Sequence, residues 1–436
     1  MNQNQINFLK SITPDLYQQI SDPTWPSLES LHTAENIPDT VLRSVDFMID
    51  EWEQAQQSVQ NFCSLIFFGN EYRISDPYQG LRCHQPIDDI RTVQQQFLKG
   101  HKPSTCVKCW KQEDAGIESL RQLGNRTMDH YLDKNLVNMR QICAEQKHET
   151  YFYKIETGNL CNAACVTCGS KFSSAWAALE RKNGKTPWPQ RRVTVDSTGM
   201  RFDKKTIDID EFFSIDYKKA KYINFLGGET TLELSNFKIL EQLIAAGNTD
   251  CTISFTTHGN FDLSKEQKYI IQQFPNMQFN FSIDGIDKIY QYLRYPLSWD
   301  HCQDNIQYCK NHQIEVSVSV VSSNLNLLYF DQLVNWINGQ QLPYYVNFAL
   351  NHQHEQKHAL YGNTILSARV KSIMLDRNPS DFVKHILNKH TAFDDTLYEL
   401  FLQDIVEKDS WKGIILEDYL PEFAEIIKKD LQKYRG

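Results

Sequence analysis

The sequence predicts an α/β protein whose main part is a partial (β/α)6 barrel of the TIM type, preceded by a cysteine-rich N-terminal domain and followed by a helical C-terminal extension. Three observations carry this. Six short apolar, β-branched or aromatic runs, at 151–155, 222–226, 252–256, 278–283, 315–321 and 344–350, alternate with longer amphipathic stretches. Strands separated by helical patterns imply βαβ units and a parallel sheet. Cysteines gather upstream of the first run and just after it, and from 351 onward the chain turns helical and charged.

In chain order, residues 1–60 read as a polar helical extension, with an acidic amphipathic stretch at 45–57 and prolines at 14, 23, 26 and 38. Residues 61–125 form the cysteine-rich domain, 126–150 a connecting helix, 151–350 the barrel and 351–436 the helical C-terminal region. The stretch between the first two strands, with Asn183-Gly184-Lys185 and Arg191-Arg192, loops out, and the arginines read as a solvated face. Pro421 opens a terminal amphipathic helix. The pairs Asp208/Asp210 with Glu211, and Asp394/Asp395, read as helix starts. The two ends of the chain either cap the open barrel or bind a partner.

The bulk numbers exclude several function classes. With 436 residues, 41% hydrophobic and 12% aromatic, the chain can bury a sizeable core. The first residues lack the basic start and apolar core of a signal peptide, and no apolar run approaches the ~20 residues of a membrane span. A cytoplasmic protein is expected, and there eleven cysteines point to metal binding or catalysis rather than disulfides. A net charge of -9 disfavours nucleic acid as a partner. No Walker-type phosphate loop or serine elbow is present.

Cys161, Cys165 and Cys168 follow the first strand and precede a helix suggested by 173–179. Structural zinc takes four ligands in two pairs, which this group does not resemble. Thiolates are the normal ligands of iron–sulfur clusters, and three would leave one iron of a cubane uncovered. In barrels of this kind chemistry sits at the C-terminal ends of strands. The later strands end in Gly227-Gly228-Glu229, in Thr257-His258-Gly259-Asn260 and in Ser282-Ile283-Asp284-Gly285, with Arg294 twelve residues after Ser282.

The spacing of Cys161, Cys165 and Cys168 resembles the C-x3-C-x2-C signature of the radical S-adenosylmethionine (SAM) enzymes, and the strand-end motifs resemble theirs. The resemblance implies that these cysteines hold a 4Fe-4S cluster whose uncovered iron chelates the methionine part of SAM. One electron then releases a 5′-deoxyadenosyl radical. It places Gly227, Gly228, Glu229, Ser282, Asp284 and Arg294 at SAM: glycines for close backbone approach, Glu229 for the ammonium and Arg294 for the carboxylate. Two positions depart from the family's pattern. His258 stands where relatives often have Asn, and Thr167 stands where an aromatic residue usually packs near the adenine. Adenine contacts are therefore expected partly from 320–326.

Upstream, Cys63, Cys83, Cys106 and Cys109 suit either zinc or a second 4Fe-4S cluster. Gly80 before Cys83, an amphipathic helix at 87–98 and then Cys106-x2-Cys109 are similar to the twitch domain, a shortened SPASM domain that binds one auxiliary cluster. Gly116 and Ser119-Leu120-Arg121 extend the likeness to proteins that carry this domain before the barrel. The resemblance spans 61–350, roughly two thirds of the chain. It implies a reductant such as flavodoxin or ferredoxin, and a peptide or protein side chain as substrate. A small sugar-like substrate that is dehydrogenated is the alternative, as is a non-enzymatic zinc protein whose barrel binds a partner. His352, His354 and His358 read as a solvated loop ahead of a metal or acid–base role, and Cys143, Cys251, Cys302 and Cys309 as buried thiols. No acid, base or nucleophile is assigned.

Overall fold

The computed structural model describes residues 59–73, 89–114, 119–147, 149–187, 194–196, 199–201, 209–349, 361–362, 366, 368–389 and 395–435. Gly80, Cys83, Arg191, Arg192, His352, His354 and His358, with residues 1–58, lie outside them. The chain divides into two compact units, Met1–Gly69 with Leu81–Thr150, and Asn70–Gly80 with Tyr151–Gly436. None of the helices among the described residues is long and apolar enough to cross a membrane.

The first unit is helical: Leu65–Phe68, Ile90–Leu98, Val107–Asp114, Leu120–Leu132 and Leu136–Ala144. The helix at 90–98 carries the amphipathic pattern read at 87–98. The connecting segment differs from the single helix expected. Asp133 adopts a left-handed conformation, φ 49, that ends one helix, and Asn135 caps the next by accepting from Asn138 N at 2.9 Å. Phe62, Phe97, Met128 and Met139 form its buried interior.

The second unit is a mixed α/β body around a parallel sheet. Strands β1 (Gly69–Arg73), β2 (Phe152–Glu156), β3 (Thr194–Asp196), β4 (Gly199–Arg201), β5 (Tyr222–Leu226), β6 (Thr252–Thr257), β7 (Met277–Ser282), β8 (Glu315–Ser322) and β9 (Tyr344–Phe348) follow in chain order. The sheet order is β1-β2-β5-β6-β7-β8-β9, and the six strands from β2 to β9 pair in parallel. All six expected runs are strands, with ends shifted by a residue or two. β1 was not anticipated, because its GNEYR sequence has no apolar run. The stretch expected to loop out instead contains an antiparallel hairpin, β3 with β4.

Each strand's alternation decides its two faces. Ile223, Phe225, Ile253, Phe255, Phe279, Phe281, Val318 and Val320 are fully buried among the helices. Phe225 and Phe255 stack with centroids 5.1 Å apart, and Phe255 meets Phe279 at 5.4 Å. At about 1.5–3 kcal/mol for each buried aromatic or branched side chain, this face drives the sheet's assembly. On the opposite face, cross-strand partners are polar: Asn224 beside Ser254, Thr256 beside Asn280, Asn280 beside Ser317 and Ser282 beside Ser319. Helices Ala368–Asp376, Asp381–Lys389, Asp395–Lys412 and Pro421–Leu431 add Val370, Val383, Phe401, Phe423 and Ile427 to the same apolar core. The C-terminal region is therefore part of this unit.

Candidate functional site

The loop after β2 is held by backbone and side-chain bonds from three directions. Ala164 N donates to Tyr295 O at 2.6 Å and Val166 N to Leu293 O at 2.8 Å. Ser173 caps helix Ser174–Lys182, and from that helix Trp176 Nε1 donates to Cys165 O at 2.7 Å. Ser174 Oγ accepts from Cys161 N at 3.0 Å. Cys161 is buried, while Cys165 and Cys168 are half-buried. Burial pushes the Cys161 thiol well up and the Cys165 thiol up, with the Arg294 guanidinium and the Lys412 ammonium pulling Cys165 the other way.

The Gly227-Gly228-Glu229 turn after β5 wedges against that loop. Gly227 has φ +124, and a Cβ there would lie 2.6 Å from Gly158 O; at Gly228 a Cβ would lie 2.3 Å from Leu160 O. Only glycines allow this approach. It lets Glu229 N donate to Leu160 O at 2.7 Å.

Glu229 itself is fully buried. Oε1 accepts from Thr231 N at 3.2 Å, Thr231 Oγ1 at 2.7 Å and Thr257 Oγ1 at 2.7 Å, while Oε2 accepts from His258 N at 2.9 Å. The carboxylate is thus satisfied by the ends of β5 and β6.

His258 closes the circuit. Its Nε2 meets Asn162 Oδ1, within the cysteine loop, at 2.6 Å, and its Nδ1 accepts from Asn260 N at 3.0 Å. With Nδ1 accepting from Asn260 N, Nε2 is the ring position left to donate to Asn162. Nδ1 also lies 3.2 Å from Glu229 Oε2; burial, the larger influence, lowers the ring's pKa, while that carboxylate's charge pulls it up. Asn260 in turn binds Tyr290 OH at 3.0 Å and both Ser298 O and Ser298 N.

At the end of β7, Asp284 Oδ2 accepts from Arg294 Nη2 at 2.6 Å and Oδ1 from Val321 N at 2.7 Å. Arg294 Nη1 lies 4.0 Å from Cys165 Sγ, and its buried Nε has no hydrogen-bond partner among the described residues. Asn326, in the segment expected near an adenine, donates instead to Asp284 O and Val321 O, both at 2.8 Å. Ser282 ends β7 in register with Ser319.

In the first unit, Cys63, Cys106 and Cys109 are buried. Arg121 links their segments. Its Nε and Nη2 bind Glu113 at 2.9 and 2.7 Å, and Nη1 donates to Phe62 O at 2.7 Å, next to Cys63. Its guanidinium also lies 5.1 Å from the ring of Trp110, beside Cys109. Cys143, Cys251, Cys302 and Cys309 are buried thiols pushed up to about 12 by burial.

The donor chemistry fits a cluster at the loop after β2: three thiols on one short loop, two of them partly open, with a guanidinium beside the middle one. Among the described residues no three His, Cys, Asp or Glu side chains form a group that could hold a metal ion. Thiolates that each bind a different iron do not need to meet at one point.

Three features of the site have no local signal in the sequence. The His258–Asn162 bond was hidden because His258 looked only like a departure from a pattern. The use of Asp284 to hold Arg294 crosses ten residues. Lys408 and Lys412 come from a helix more than a hundred residues downstream of the last motif, and no local signal marks them.

No family model matches the chain, and no curated protein does. Solved structures show a loose likeness. SuiB of Streptococcus suis bound to S-adenosylmethionine aligns at 13% identity and TM-score 0.36, covering 69% of this chain and 65% of that one. The same protein bound to precursor peptide SuiA aligns at 12% and 0.35, covering 67% and 62%. Native anSMEcpe with bound AdoMet and Kp18Cys peptide aligns at 13% and 0.32, covering 60% and 61%. The chain spans somewhat less than two thirds of each of these structures. With TM-scores of 0.32–0.36, they lend no weight to a function, which has to rest on this chain's own residues.

Proposed function

We propose that the chain is a cytoplasmic radical SAM enzyme acting on a peptide or protein side chain, with one 4Fe-4S cluster on Cys161, Cys165 and Cys168. The observation that carries this reading is the direct bonding of the strand-end motifs to one another. The cysteine loop is tied to the Gly-Gly-Glu turn through Leu160 O, to the end of β6 through Asn162 and His258, and to the end of β7 through Arg294 and Asp284. A structural barrel has no need to place these groups at its catalytic end.

When bound, the cluster supplies the electron for reductive cleavage of SAM. Everything else falls to the chain. Gly227 and Gly228 let the cysteine loop pack against the turn, Ser282 offers a hydroxyl, and Arg294, whose buried Nε has no partner among the described residues, supplies the guanidinium for the SAM carboxylate. Asp284 fixes the guanidinium's direction. An ammonium contact at Glu229 requires one of its present donors to give way. The polar strand face, with Asn224, Ser254, Asn280 and Ser319, suits a substrate that forms hydrogen bonds. The similarity of Ser282-Ile283-Asp284-Gly285 to peptide-modifying enzymes favours a peptide.

In the same reading, residues 61–125 form a twitch-like domain binding an auxiliary 4Fe-4S cluster on Cys63, Cys83, Cys106 and Cys109. Four cysteines leave no iron open, which favours electron transfer over substrate ligation. A flavodoxin or ferredoxin is the expected reductant.

The test is iron, zinc and sulfide per chain after anaerobic reconstitution, followed by incubation with SAM and dithionite. About eight irons and eight sulfides, with release of 5′-deoxyadenosine that the triple variant C161A/C165A/C168A loses, are expected. About four irons with one zinc would make the N-terminal domain structural. Zinc alone, with intact SAM, would overturn the reading.

A further inference from the structure

Leu160, the residue just before the cysteine group, has both of its backbone groups taken. Its carbonyl accepts from Glu229 N, and its N–H donates to Glu233 Oε1 at 2.7 Å. Glu233 stands at the N-cap of helix Leu234–Ala245, yet its side chain makes no capping bond there. The carboxylate reaches across to the loop after β2 instead. Three residues on, Asn236 Oδ1 accepts from Thr157 Oγ1 at 2.7 Å, and Asn236 Nδ2 donates to Thr230 O at 2.9 Å. The start of one helix therefore holds the loop at 157 and again at 160.

Gly158 makes room for this contact. A Cβ there would lie 2.2 Å from Glu233 Oε1 and 2.6 Å from Glu233 Cδ. Gly158 does not take the left-handed conformation that favours glycine, so the carboxylate is what a side chain at 158 would meet. Burial raises the pKa of Glu233, with the Leu160 N–H bond pulling it down. No lysine or arginine pairs with it among the described residues, and its side chain makes one hydrogen bond there, to Leu160. A partly desolvated carboxylate without a cation costs stability. What it gains is a fixed loop.

We propose that Glu233 is a positioning residue that clamps Leu160, and with it Cys161, so that a cluster on the loop stands in register with the SAM-binding groups of the Gly-Gly-Glu turn. This rests on the cluster reading above and deepens it. Glu229 and Glu233 belong to one short segment, so turn and loop are fixed to each other on both sides of Leu160. A misplacement of about 1 Å in such a pairing can cost about 100-fold in rate. An oxygen acceptor is what the clamp requires, not a charge.

The test is a SAM titration of the reconstituted full chain, followed by electron paramagnetic resonance of the reduced cluster, with iron per chain measured alongside. E233A should need at least about tenfold more SAM to change the signal. E233Q keeps a carbonyl oxygen for Leu160 N–H and should restore the wild-type response, while L234A, exposed beside it, should leave it unaltered. G158A should match E233A, because its Cβ pushes the carboxylate aside, and the double variant E233A/G158A should be no worse than either. Loss of iron in E233A that E233Q repairs also supports the proposal. Amide hydrogen exchange over 157–162 in iron-free protein reads the clamp alone, and should be faster in E233A and G158A than in wild type and E233Q. A wild-type SAM response in E233A, an E233Q as impaired as E233A, or additive losses in the double variant would overturn the proposal. Wild-type protein that binds no iron would overturn the cluster reading instead, with hydrogen exchange still deciding the clamp.

Discussion

Replacing Glu229 by Gln should destabilise the second unit even with no cofactor present, because the carboxylate holds the ends of two strands. Its oxygens accept four hydrogen bonds in a fully buried setting, three on Oε1 and one, from His258 N, on Oε2. A glutamine can keep its carbonyl on the crowded side. Its NH2 then faces the His258 N–H, donor against donor, because His258 Nδ1, 3.2 Å from Oε2, already accepts from Asn260 N. The lost charge-assisted bond is worth about 1.5–3 kcal/mol, and the unmet buried N–H costs about 1–3 kcal/mol more. A total of about 3–5 kcal/mol corresponds to a drop of roughly 6–10 °C in the melting temperature of a unit this large. Calorimetry of the apo protein, compared with T231V and T257V that each remove one donor, reads it. If E229Q melts with the wild type, the carboxylate is not a structural hub, and its present bonds are ones it gives up cheaply to a ligand.

Three further outcomes are expected. In G228A the added Cβ meets Leu160 O at 2.3 Å, and backbone cannot yield easily. The strain of about 1–3 kcal/mol should displace the cysteine loop, so that reconstituted iron falls by about half while the N-terminal site stays loaded. Burial raises the Asp409 carboxyl to about 6 from its usual 3.8. Its contribution to stability is therefore complete below pH 3.8 and lost as pH rises through 6, on the order of 3 kcal/mol at about 1.4 kcal/mol per unit. Denaturant unfolding should show the gap between wild type and D409N narrowing from pH 4 to pH 7; a constant gap refutes the assignment. R121Q breaks a partly buried pair with Glu113 and removes a donor from Phe62 O, at about 1–3 kcal/mol. It should lower the unfolding transition of the N-terminal unit and, on the proposed function, its iron content, while leaving release of 5′-deoxyadenosine at the cysteine loop unchanged.

The strands of the parallel sheet were legible because their alternation is local. A run such as Met277–Ser282 places Phe279 and Phe281 on one face and Gln278 and Asn280 on the other, whatever lies far away. The helix breaks were less legible. Asp133 and Asn135 turn the expected connecting helix into two, and a left-handed aspartate in a helical run leaves only a faint trace in sequence. Edge strand β1 was illegible, since a strand with little apolar content is specified by the sheet edge it joins.

At the site the division is similar. Sequence by itself determined which chemical groups are present and where along the strands they fall: three thiols on one loop, two glycines before Glu229, and a guanidinium after Asp284. Spacing within a loop is a covalent property, and a strand end followed by glycines is a local one. Tertiary structure alone decided that His258 bonds Asn162, that Glu229 turns inward to the strand ends, that Asp284 holds Arg294 and that Lys412 lies over Trp176. These are contacts across 10 to 236 residues of chain, set by packing, and they depend on which buried group each side chain can reach.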